Sequence, residues 1–109
     1  MLCIIQEKIT DEGLTKAAED LDGYIKVVVD VDRQILTAGG LRHVDGERLL
    51  LANGSMQENL WGGGLDLESG EIDFDSMINI RSGQNNPSRE VLSQEIRAQM
   101  VKIIKALLK

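Results

Sequence analysis

The chain has 109 residues, 42% of them hydrophobic and 28% charged, with a formal net charge of −6 and a pI of about 4.7. That length points to a single domain, residues 1–109, which buries roughly 60–70% of its unfolded surface and needs no metal or disulfide staple to hold a core. The composition argues against disorder, the acidic balance against nucleic acid, and no apolar run approaches the roughly 20 residues that cross a bilayer, which excludes a membrane partner.

A cytoplasmic location is expected. Met1-Leu2-Cys3-Ile4-Ile5 carries no basic leader, and its apolar run is too short for a signal peptide. The one cysteine, Cys3, has no partner for an intramolecular disulfide.

Cys3-Ile4-Ile5 is a short β-prone run. Thr10 then reads as an N-cap, with Asp11 and Glu12 at the positive end of a helix dipole. Leu14, Ala17, Ala18 and Leu21 form one apolar stripe, and Gly23 can end the helix in the left-handed conformation. From Tyr24 to Val31 the period changes to two. Ile25, Val27, Val29 and Val31 share one face of a strand, and Lys26, Val28 and Asp30 share the other. Asp32-Arg33 turns the chain into a second strand, Gln34 to Ala38, which Gly39-Gly40 ends.

The segment from His43 to Gly54 reads as a strand or as a short helix. A helix is preferred, with Asp45 as N-cap, Glu47 in its first turn and Gly54 as terminator. A hairpin follows, Asn59–Leu67 with Ile72–Arg81, turning at Ser69-Gly70. Its register sets Leu67 opposite Ile72, Leu65 opposite Phe74, Gly63 opposite Ser76 and Trp61 opposite Ile78, all on one apolar face. Residues 82–88 have loop composition, and Ser93 reads as the N-cap of a last helix with Ile96, Met100, Ile103 and Leu107 on its stripe. The expected fold is α+β, a mostly antiparallel sheet of four to five strands with helices on one face, in the order β-α-β-β-α-β-β-α.

Asn53-Gly54-Ser55-Met56-Gln57-Glu58-Asn59-Leu60-Trp61-Gly62 and Phe74-Asp75-Ser76-Met77-Ile78-Asn79-Ile80-Arg81 carry a resemblance, supported by His43-Val44-Asp45-Gly46-Glu47. The combination GSxQxxLWG with DSxINIR resembles a family of small bacterial and archaeal proteins known only as a domain of unknown function. In that pattern a proline often follows the arginine, where this chain has Ser82. The resemblance implies a single domain over nearly the whole chain and supplies no activity.

Several groups could carry chemistry. Gly62-Gly63-Gly64 matches neither the dinucleotide fingerprint nor a Walker-type loop, so a shallow spot on the core face, where a helix approaches closely or a bulge sits, is the better reading. His43, Asp45 and Glu47 alternate, but one histidine without a cysteine pair supplies a metal site poorly, and neither metal nor cofactor is expected. Asp66, Asp73 and Asp75 gather on the hairpin's polar face, where solvation is the simpler account. Cys3 reads as a core filler.

The richest set is Gln57, Asn59, Ser76, Asn79, Arg81, Asn85, Asn86 and Arg89 around one end of the hairpin and its exit loop, with Trp61 a further candidate for ligand binding. Amides and arginines are costly to bury without partners. They either bind an anionic ligand, with Arg81 and Arg89 as forked donors, or satisfy loop backbone and pair with acids such as Glu58. Two functions stay open. One is a non-enzymatic binding or accessory module that self-associates as a homodimer; the other is a site for a small anionic ligand around Asn79, Arg81 and Arg89, with or without catalysis.

Overall fold

The computed structural model describes residues 1–109. Elements follow as β1 (Cys3–Ile5), α1 (Asp11–Ala18), β2 (Tyr24–Asp30), β3 (Ile35–Ala38), α2 (His43–Ala52), β4 (Leu60–Asp66), β5 (Ile72–Asp73) and α3 (Gln94–Leu108). This is the expected β-α-β-β-α-β-β-α order, an α+β fold. The five strands form one antiparallel sheet in the spatial order β1-β3-β2-β4-β5.

Helix starts follow their caps. Thr10 Oγ1 accepts the Gly13 N–H at 3.0 Å, and Ser93 Oγ accepts the Ile96 N–H at 3.2 Å. Helix α1 tightens into a 3-10 turn over Glu19–Leu21, and Asp22 and Gly23, at φ 51° and 96°, carry the chain into β2. Helix α2 begins three residues earlier than the cap chemistry suggests, with Arg42 rather than Asp45 at the N-cap position and no side-chain cap. Asp45 lies in its first turn, where it holds Arg42 at 3.1 Å.

The strand alternation sorts the core into two layers. Ile25, Val27, Val29, Leu36, Trp61 and Leu65 pack under α1 and α3 in the main core. Val28, Ile35 and Leu60 point the other way and pack under Leu50 of α2. The helices therefore occupy both faces, not the single face expected. The reason is that β2 lies in the middle of the sheet, so Val28 on its second face needs a cover too. Helix α2 can approach because Gly46 has no side chain: a methyl there would overlap Thr37 Oγ1 and lie 3.0 Å from Val28 Cγ2.

The hairpin exists in a different register. Leu65 pairs with Ile72 and Gly64 with Asp73, because Asp66 organises a longer turn than Ser69-Gly70 alone. Its Oδ1 accepts the Glu68 N–H at 2.9 Å and the Ser69 N–H at 3.3 Å, and its own N–H donates to Glu71 O at 2.9 Å. Beyond Asp73 the chain leaves β4 and winds through a 3-10 turn, Met77–Asn79, so most of Ile72–Arg81 is not strand. Ser76 fits over Gly62, where a side chain would come within 2.6 Å of its Cβ. On the opposite face the backbone carbonyl of Asp73 lies against the place a Gly63 Cβ would take, with the Met100 Cε of α3 3.3 Å away, so the chain at β5 crowds that glycine more closely than the helix does. Cys3 is exposed on the edge strand rather than in the core.

Candidate functional site

At the Arg81 end, the amides and the guanidinium turn inward onto backbone. Asn79 is fully buried: its Oδ1 accepts the Gly62 N–H at 2.8 Å, and its Nδ2 lies 3.0 Å from Gly62 O, 3.1 Å from Phe74 O and 3.0 Å from Arg89 O. Asn86, also buried, reaches the carbonyls of Asn79, Ser88 and Glu90 through Nδ2 and accepts the Leu92 N–H through Oδ1. Asn79 thus ties residues 74–92 to the sheet without a strand, and Asn86 ties that segment to itself.

The Arg81 guanidinium stacks on the Trp61 ring, 3.9 Å from its centroid. Its Nη1 donates to Gln57 O at 2.6 Å and to Gln84 Oε1 at 3.1 Å, and its Nη2 donates to Leu60 O. Burial lowers its pKa from the usual arginine value, against the opposing pull of Glu47. It does not pair with Glu58; no ion pair involves Arg81. The Gln57 side chain is exposed, and Asn59 serves the fold through its carbonyl, which accepts the Val31 N–H at 3.0 Å. Asn85, exposed at φ 57°, closes the 3-10 turn Ser82–Gln84. Gln57, Trp61 and Arg81 therefore meet, Asn59 and Asn79 brace the chain beside them, and Ser76 and Arg89 are the members of the set that line an open concavity.

That concavity lies on the second face of the sheet and has a volume of about 600 Å³. Its floor is Tyr24 and Lys26, alternate residues of β2. They face Asp66 and Gly64 across β4, and the next pair on this face is Val28 with Gly62. The glycines at 62 and 64 remove the side chains that would fill this face. Tyr24 covers Gly64, and His43, from the first residue of α2, reaches over Gly62 with its Cδ2 3.2 Å from the place of a Cβ. Asp73, Asp75, Ser76 and Arg89 form the opposite wall.

The polar groups here are defined by their partners. His43 Nε2 lies 2.7 Å from Gly63 O. A carbonyl only accepts, so Nε2 carries the hydrogen and Nδ1 keeps its lone pair. With Cδ2 and Nε2 turned to the sheet, Nδ1 is on the far edge of the ring, and no group bonds to it. Burial lowers the His43 pKa from its ordinary value and the Lys26 charge adds to this, while the Gly63 bond and the Asp73 and Asp75 charges oppose it; the ring is neutral at pH 7. Tyr24 Oη donates to Asp73 Oδ2 at 2.6 Å, and burial first, then Asp73, pushes the phenol pKa up. Tyr24 therefore stays protonated as a donor.

Sequence reasoning placed His43 in a weak metal set and did not single out Tyr24 or Lys26. On a helix, His43, Asp45 and Glu47 diverge: Asp45 meets Arg42 and Glu47 is buried. No group of three His, Cys, Asp or Glu side chains is placed to hold a metal ion. The shared face of Tyr24 and Lys26 was readable from the period of two. The pairing that sets glycines beside them was not, because β2 and β4 are far apart in the chain.

Fold and cavity together define an α+β protein with an antiparallel sheet, helices on both faces and a concavity between the start of α2 and the chain after β5. The chain belongs to the DUF5674 family, proteins of unknown function, whose family model matches residues 3–107. No curated protein and no solved structure matches the chain. No helix is long and apolar enough to cross a membrane.

Proposed function

We propose that this domain is a binding module for a small polar molecule, held in the cavity beside His43. The observation that carries this reading is His43 itself. Its ring is half-buried, its tautomer is set by Gly63 O, and its one remaining lone pair has no partner within the protein. A half-buried acceptor left open at the wall of a concavity is completed by a ligand donor or by water. Tyr24, anchored on Asp73, keeps the opposite side of the floor rigid. The Arg81 end offers less, because its arginine and buried amides already bond to backbone.

His43 is the only histidine, so its imidazole gives a unique nuclear magnetic resonance signal. A library of small polar fragments titrated into the protein should contain members that shift this signal together with the amides of Asp73 and Ser76. His43→Gln should abolish binding of those fragments while the fold persists. Fragments that bind elsewhere with His43 unmoved would refute the reading.

Self-association is a second reading, supported by the open edge of the sheet at β1, which pairs on one side only. The edge is three residues long, so the association it supports is weak. Light scattering across a concentration series tests it, and a monomer at every concentration would remove it.

A further inference from the structure

We infer that the molecule held beside His43 is a small carboxylate that also carries a hydroxyl or amino donor; this rests on the cavity being the binding site. Lys26 carries the argument. Most of the other charges around the cavity are already matched. Arg89 holds Asp75 through Nε at 3.1 Å and Nη2 at 3.4 Å. Arg42 holds Asp45 at 3.1 Å, and Glu90 is held by Arg97 at 3.1 Å. Asp73 accepts the Tyr24 hydroxyl on one oxygen and the Asp75 N–H, at 3.2 Å, on the other.

Lys26 alone has neither an ion pair nor a hydrogen bond, although it is half-buried on the cavity floor. The molecule carries a net charge of −6, so a lysine without an acid partner here is not explained by a shortage of carboxylates. Its ammonium presents three donors to whatever occupies the space. Helix α2, ten residues long, starts at the cavity wall with its positive end, which adds to the preference for an anion.

The acids of the far wall limit that anion to a single charge. Asp73, which no cation neutralises, would repel the second charge of a phosphate, and Arg42 and Arg89 are already held by carboxylates. His43 Nδ1 supplies the other half of the recognition, because it accepts and cannot donate. Lys26 and His43 border the same cavity, so one small molecule can meet both.

Four matched probes test the class: glycolate, acetate, ethylene glycol and ethanolamine. They are read by the His43 imidazole signal and by thermal shift, on the natural chain and on Lys26→Met, which keeps the aliphatic stem. Glycolate should bind about tenfold more tightly than acetate or ethylene glycol, and Lys26→Met should weaken glycolate by a similar factor, as loss of a charge-assisted bond implies. Lys26→Gln serves as a second variant if circular dichroism shows that the first disturbs the fold. Ethanolamine or ethylene glycol binding as well as glycolate overturns the carboxylate, and so does glycolate binding that ignores both Lys26 variants; in either case the cavity still binds. If none of the four moves His43 but other polar fragments do, the ligand class falls alone. If no fragment of any kind moves it, the cavity reading falls as well.

Discussion

The side-chain amide of Asn79 pairs with the backbone of Gly62 as a neighbouring strand would, accepting its N–H at 2.8 Å and reaching its carbonyl at 3.0 Å. One side chain thereby continues the edge of β4 after β5 has ended. Replacing Asn79 by Leu keeps the volume and leaves the Gly62 N–H without its partner in a buried place. We expect a loss of about 3 kcal/mol in urea unfolding, the cost of orphaned buried polar groups. A loss below about 1 kcal/mol would mean that water takes over from the amide.

Arg81→Lys keeps the charge and removes the planar fork. Stacking on Trp61 and the bonds to the carbonyls of Gln57 and Leu60 all depend on that plane. The expected destabilisation is about 2 kcal/mol. Trp61 is the only tryptophan, so its fluorescence should change as the guanidinium leaves its face. Unaltered emission and stability together would show that the stack contributes nothing.

Gly46→Ala sets helix propensity against packing. In an exposed helix the change is worth about 1 kcal/mol in favour of alanine. Here the methyl overlaps Thr37 Oγ1 and crowds Val28, so the net effect should be a loss of about 1–3 kcal/mol, typical of overpacking. Adding Thr37→Ala should recover part of it. A stabilised Gly46→Ala protein would place α2 farther from the sheet than described above.

His43 makes stability fall on mild acidification. Its native pKa lies below its unfolded value of about 6.5, so the unfolded chain takes up a proton that the native state resists. The contribution is present above about pH 6.5 and is lost as pH falls through the native pKa. Unfolding at pH 7.5 and pH 5.5, conditions chosen above the range of ordinary carboxylates at about 4, should show lower stability at the acid value. His43→Gln should flatten that slope. A native imidazole that titrates at or above its ordinary value would contradict the burial argument.

Helix caps at Thr10 and Ser93, the central strand and the order of elements were legible because each depends on residues near one another in the chain. The hairpin register was missed by two positions, since Asp66 bonds to the turn from outside the Ser69-Gly70 pair. The Arg81 cluster was legible as a polar concentration. Its role was not, because carbonyls at Gln57 and Leu60 and the ring of Trp61 receive the guanidinium, and sequence does not display free carbonyls.

By itself the sequence determined which residues alternate and where α1 and α3 start. Asn79, Gly62 and Lys26 are all visible in it as residue types. Tertiary structure alone decided that Asn79 faces Gly62 and that Lys26 lies on a floor cleared by glycines, with His43 open above it. The physical reason is that these relations arise from the pairing of β2 with β4 and the docking of α2. Those contacts join distant segments, and their energy comes from burying both faces of the sheet rather than from any local preference.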